Sequence, residues 1–182
     1  RQTKTPLATQ VEVMRQMAIV TGGRVHAFVP FDPLRQVAFD LGKSSTGSFS
    51  LVTDAIDTKG CVGVKLYPPM GFAALGNKDL RTKDGGLFWK RPWLPDWTAT
   101  PELGQKLDDA MSTMLEWCER FDVPVMAHTN VSNGVTDEFE ELASSKYWAE
   151  ALSSFPRLRV SFGHFGDTSP VEDGLERARG FT

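Results

Sequence analysis

The sequence predicts an α/β fold built on a parallel sheet. Four short β-rich runs carry that reading: residues 24–30 (RVHAFVP), 61–67 (CVGVKLY), 123–128 (VPVMAH) and 159–164 (RVSFGH). Helical stretches separate them, and strands alternating with helices imply βαβ crossovers. Three of the four runs are nearly continuously apolar, as expected of parallel strands buried on both faces; RVSFGH is more polar. An open doubly wound sheet and a closed (β/α) barrel both satisfy this pattern.

Each element has a local cause. Thr5 and Pro6 open a first helix, with Thr5 as cap and Pro6 at the first helical position. Leu7, Val11, Met14 and Ala18 recur along it at helical spacing, and Gly22 and Gly23 stop it. Residues 34–41 and 49–58 read as helices around a Gly/Ser-rich turn, the second ending at Gly60. Pro68 and Pro69 end the second strand. A long irregular stretch follows, residues 68–100, of a length that is usually functional or mobile. Thr100 and Pro101 open the clearest helix. Its apolar face is Leu103, Leu107, Ala110, Met111, Met114, Leu115 and Cys118, with Glu102, Asp108, Asp109, Glu116 and Glu119 expected largely away from it. Residues 129–145 read as polar loop with some helix, residues 147–155 as a helix stopped by Pro156, and residues 165–182 hold a short helix near their end.

Composition narrows the function. With 20 Lys and Arg against 23 Asp and Glu, the net charge is −3, which argues against nucleic-acid binding. No window approaches the ~20 apolar residues of a membrane span, and no leader reads as a signal peptide. Two cysteines, Cys61 and Cys118, do not make a disulfide scaffold; they read as buried packing in a cytoplasmic protein. The 182 residues suggest a single domain.

In both architectures function gathers at the carboxyl ends of the strands. His128 and His164 each end a strand, whereas His26 sits early in its own. Consecutive parallel strands are usually neighbours, so the two imidazoles should share one pocket, where they suit zinc or a related divalent ion. Thr129 and Asn130 are placed to fix one ring by hydrogen bonds. The plainer reading makes both histidines hydrogen-bonded strand-end residues. Lys65 is costly inside a buried strand unless paired or at work. Alternation puts Gly63, Lys65 and Tyr67 on one face, and Val62, Val64 and Leu66 on the other, towards the helices. Lys65 can hold an anionic substrate, pair with a carboxylate, or be carbamylated between metals; Tyr67 joins it as a substrate contact. Asp32 reads as a turn residue, and Asp167 as a base, a gate or a solvated carboxylate. Trp89, Trp93 and Trp97, with Lys90 and Arg91, suit a lid, a pocket wall or a subunit interface.

Four segments resemble the amidohydrolase-related proteins, in the branch that holds aminocarboxymuconate-semialdehyde decarboxylase. They are FVPFDP (28–33), GCVGVKLYPPMG (60–71), CERFDVPVMAHTN (118–130) and FPRLRVSFGHFG (155–166). The resemblance implies a (β/α)8 TIM barrel, of which this chain supplies roughly strands three to six, with a divalent metal at its top. His128 matches the fifth-strand ligand, His164 the sixth-strand histidine and Lys65 the fourth-strand position. The family's first-strand HxH pair has no counterpart here. Only 16 residues follow Gly166, too few for two more βα units before a final-strand Asp; a complete barrel takes ~250 residues.

These observations set the expectations: a partial barrel domain over residues 1–182 with a loop insertion at 68–100, and a metal-dependent hydrolase of a small organic substrate. His128 and His164 hold a divalent ion, zinc by expectation, and Lys65 and Tyr67 contact substrate. The alternatives are a non-oxidative decarboxylase of the same fold and a truncated, non-catalytic binding module. The expected partner is a small molecule rather than nucleic acid or membrane, with a homo-oligomer left open.

Overall fold

A computed structural model describes residues 6–130, 134 and 136–164. Four strands, β1 (Phe28–Pro30), β2 (Gly63–Leu66), β3 (Val125–His128) and β4 (Val160–Gly163), form one sheet in the order β1-β2-β3-β4. All three pairings are parallel. A doubly wound sheet would reverse its strand order at a switch point. Here the order follows the sequence without reversal, as in consecutive strands of a (β/α)8 barrel, so the chain has the architecture of part of such a barrel.

The helices are α1 (Leu7–Val20), α2 (Pro33–Asp40), α3 (Ser48–Lys59), α4 (Leu103–Arg120), α5 (Asp137–Glu140) and α6 (Ala149–Ser154). α1 begins after Pro6, which is its N-cap rather than its first helical residue; Thr5 lies outside the described residues. Its predicted stripe is only partly covered: Val11 is buried, while Met14 is exposed with Val13, Met17, Ile19 and Val20. Asp32 caps α2, accepting hydrogen bonds from the backbone N–H groups of Leu34 (3.0 Å) and Arg35 (3.2 Å). That is more specific than a turn and satisfies two of the orphan donors of a helix start. Burial pushes the Asp32 carboxyl up, opposed by these two hydrogen bonds. Gly60 closes α3 at φ 73°, a left-handed C-cap favourable to glycine.

The core lies between the sheet and its helices. Val29, Val64, Leu66, Val125 and Ala127 meet Val52 and Ala55 of α3 and Met111, Met114, Leu115 and Cys118 of α4, all buried. Each large side chain of this kind contributes about 1.5–3 kcal/mol. Val62 departs from the expected alternation: it precedes β2 and is exposed, so Val64 and Leu66 alone make the helix-facing contacts.

Asp108 is the main correction to the helix reading. It is buried and holds the long 68–100 connection in place. Its carboxylate accepts from the Asn77 backbone N–H (2.9 Å), the Asn77 Nδ2 (2.8 Å) and the Lys78 N–H (3.0 Å). Asn77 in turn accepts from the Ala73 N–H (2.7 Å) and donates to the Ala73 carbonyl (3.1 Å). Gly104 permits this approach, because a Cβ there would lie 2.5 Å from the Asn77 carbonyl oxygen.

The connection is further organised by 3-10 turns at Pro68–Met70, Asn77–Asp79 and Asp96–Thr98. Trp89 is buried and donates to the Gly71 carbonyl (2.7 Å), Trp97 is half-buried and Trp93 is exposed. The three tryptophans therefore do not form one surface. Phe88 stacks on Phe139 of α5, and Arg91 pairs with Glu138 at 2.7 Å, so the segments after β2 and β3 pack on one another. Among the described residues, no helix is long and apolar enough to cross a membrane.

Two outcomes follow. Asp108→Ala removes the acceptor of two buried Asn77 donors and of the part-buried Lys78 N–H, and urea unfolding should show a loss of about 3 kcal/mol or more. Asp109→Ala, which removes only an exposed acceptor of Gln105, should change stability by under about 0.5 kcal/mol. Cys61 and Cys118 are free and buried, and burial pushes the Cys118 thiol up to about 12. A thiol reagent at pH 8 should leave both unlabelled in the folded protein and modify both in denaturant; rapid native labelling of Cys118 would contradict the packing.

Candidate metal centre

Parallel pairing brings the carboxyl ends of β2, β3 and β4 to one edge. The register sets Lys65 beside Met126, Leu66 beside Ala127 and His128 beside Gly163. Tyr67 follows β2, His128 ends β3, and His164 is the first residue after β4 rather than its last. The His128 ring lies between the other two, with centroids 4.5 Å from Tyr67 and 4.9 Å from His164. His26 stands outside β1, exposed and away from this row. Asp167 and Gly166 lie outside the described residues.

His128 is buried, and among the described residues its Nε2 has no hydrogen-bond partner. A backbone hydrogen bond with Asn130 engages the ring and favours its protonated nitrogen. Nε2 is the ring nitrogen left without a partner among the described residues, where a cation or a donor can meet it. Burial is the main cause that pushes the His128 pKa down, with the charges of Lys65 and His164 adding to it. The Asn130 side-chain oxygen is likewise buried and unpartnered among the described residues. Two unsatisfied acceptors at one strand end call for a cation or a proton donor.

Lys65 is half-buried, and burial lowers its pKa. Among the described residues no carboxylate pairs with it. Thr129 acts elsewhere than expected. The Asn130 backbone, not Thr129, holds the His128 ring, while the Thr129 hydroxyl donates to the Gly163 carbonyl on β4. His164 is exposed and takes φ 60°, left-handed for a residue with a Cβ. Backbone outliers of this kind concentrate at functional sites. Two grooves of about 400 and 540 Å³ lie among the helices; Asp40, Lys106 and Asp109 help line the first, and Glu12, Phe39 and Asp54 the second. Neither includes Lys65, Tyr67, His128 or His164.

A family model described as Amidohydrolase matches residues 52–181. The chain belongs to the amidohydrolase family. No curated protein and no solved structure matches it. The amidohydrolase match includes Lys65, Tyr67, His128 and His164, and the family typically binds divalent metals. The residues present fit such an ion as two of its donors: a buried imidazole whose Nε2 meets no partner among the described residues, and a second imidazole beside it. Among the described residues no third His, Cys, Asp or Glu joins them, and catalytic zinc usually takes three protein ligands.

The sequence carried a signal for the residues that were missed. Asn77 follows the apolar, glycine-closed run of residues 72–76, and Asp108 lies one position from Leu107 on the apolar stripe. Thr129 carried no signal beyond its place after His128, since its acceptor lies 34 residues away.

In the metal-free protein the His128 ring should titrate below the ordinary imidazole value of 6.5. Lys65→Met removes a positive neighbour and should move that midpoint up, as read from imidazole resonances across pH. No upward movement would mean that the ammonium does not face the ring.

Proposed function

We propose that this amidohydrolase is a metal-dependent hydrolase acting on a small organic substrate that bears an anionic group. One observation carries the reading: the Nε2 of buried His128, unpartnered among the described residues, beside His164 at the ends of adjacent parallel strands. A divalent ion, zinc in this proposal, supplies when bound the Lewis acidity that polarises a carbonyl and acidifies water.

The chain's own residues do the rest. His128 offers Nε2, held in orientation by the Asn130 backbone. His164 approaches from β4. Lys65 presents an ammonium without a described counter-charge and draws an anionic substrate group towards the imidazole pair. Tyr67, against the His128 ring, orients the substrate beside it. Among the described residues no carboxylate joins the histidines, so a general base comes from elsewhere in the protein. The charge of −3 and the two unpaired cysteines support a cytoplasmic protein that does not bind nucleic acid.

A second reading has its own support. Lys65, unpaired among the described residues, suits a carboxylate-bearing substrate, as a non-oxidative decarboxylase of this fold would use. The two are separated by the product: carbon dioxide release marks the decarboxylase, and uptake of labelled oxygen from water into the product marks the hydrolase. A non-catalytic binding module would do neither and would hold no metal.

Metal analysis of the purified protein tests the assignment. Combining His128→Ala with His164→Ala should abolish bound metal while circular dichroism remains that of the parent; unchanged metal content would sink the site. Lys65→Met should raise KM for a carboxylate-bearing substrate by roughly 10- to 100-fold. Its KM for the matching neutral amide, and its metal content, should stay the same.

A further inference from the structure

Two hydrogen bonds act at the end of β3, one on the His128 ring and one on the residue that precedes His164. The Asn130 backbone holds the ring of His128. The Thr129 hydroxyl crosses to β4 and donates to the Gly163 carbonyl. Thr129 is 1% exposed, so this bond is sheltered from exchange with bulk water.

The position of the acceptor gives the bond its consequence. Gly163 is the final residue of the β4 ladder, paired with His128. Its carbonyl belongs to the peptide that joins Gly163 to His164. Peptide groups are planar, so holding that oxygen sets the plane from which His164 departs. His164 then turns into the left-handed region at φ 60°, which a residue with a Cβ keeps only when its surroundings hold it there. The side chain is exposed and meets the His128 ring edge-on. The anchored Gly163 peptide fixes the point from which the chain makes that turn.

We propose that Thr129 is a positioning residue: its hydroxyl sets the direction in which His164 presents its imidazole to His128, and so tunes the grip of the pair on a divalent cation. This rests on the metal-binding reading above. Valine keeps the shape of threonine and loses the donor, whereas serine keeps the donor, so the two substitutions separate packing from hydrogen bonding.

Cobalt(II) is the probe, because its visible absorption reports both occupancy and ligand geometry. Thr129→Val should weaken cobalt binding by roughly 10- to 100-fold, the usual effect of losing a bond that orients a ligand. Its absorption bands should also shift from those of the parent, and Thr129→Ser should restore both affinity and spectrum. Separate His128→Ala and His164→Ala variants locate any failure. If neither weakens cobalt binding, the metal reading falls. If both do while folded Thr129→Val keeps the parent's affinity and spectrum, the positioning role alone falls. Circular dichroism checks folding. Where Thr129→Val does not fold, Thr129→Ala is compared with Thr129→Ser, and equal affinity in that pair overturns the proposal.

Discussion

Parallel pairing of β1 to β4 in sequence order requires each crossover to return the chain to the same starting edge, so every strand delivers its last residue to the opposite edge. The site depends on that constraint. Lys65, Tyr67, His128 and His164 are separated by many residues in the chain and share one place because β2, β3 and β4 end together. The strands are only three or four residues long. A one-residue slip in any of them would turn Lys65 into the core or His128 away from Tyr67. Register is therefore the quantity that the packing must protect. The buried Val64, Leu66, Val125 and Ala127 do so, because a one-residue slip would put Lys65 and Tyr67, or Met126 and His128, in their places.

The connection after β2 is held by a different kind of force. Its own backbone hydrogen bonds close short local turns, and side chains from elsewhere fix those turns in place. Asp108, buried on α4, satisfies three donors of one turn, and Asn77 closes the turn on itself. A charge is affordable there because its oxygens are so well supplied with N–H groups. Trp89 and the Phe88–Phe139 stack then join this connection to the segment after β3. The two segments that border the candidate centre thus support each other, and Arg91 between Phe88, Phe139 and Glu138 closes the contact.

How much was legible follows from how far each cause reaches along the chain. The strands and the long helix α4 were legible because apolar spacing is a local property, and His128 was legible because it closes a strand that can be read directly. The end of β4 was harder: RVSFGH is polar enough to blur its boundary, and His164 falls one residue beyond the ladder. Val62 was misplaced because alternation holds only inside a strand, and β2 begins after it. Asp108 was misplaced because a charged residue on a helix is ordinarily solvated, and its partners lie 30 and 31 residues away. The tryptophans suggested a common surface because they are close in sequence, yet the turns between them send Trp89 inward and Trp93 outward.

The alternation of strand and helix, the buried faces of α3 and α4, and the pairing of His128 with His164 at strand ends are already contained in the order of the amino acids. They follow from periodicity and from the short-range stereochemistry of proline and glycine, which act within a few residues. The tertiary structure alone decided that the sheet runs in unbroken order rather than around a switch point. It alone left His128 Nε2 without a partner among the described residues, made Asp108 an anchor, and turned the Thr129 hydroxyl towards Gly163 instead of the His128 ring. Each of these is a contact between groups distant in the chain, and burial or a hydrogen bond exists only once folding has brought both partners together.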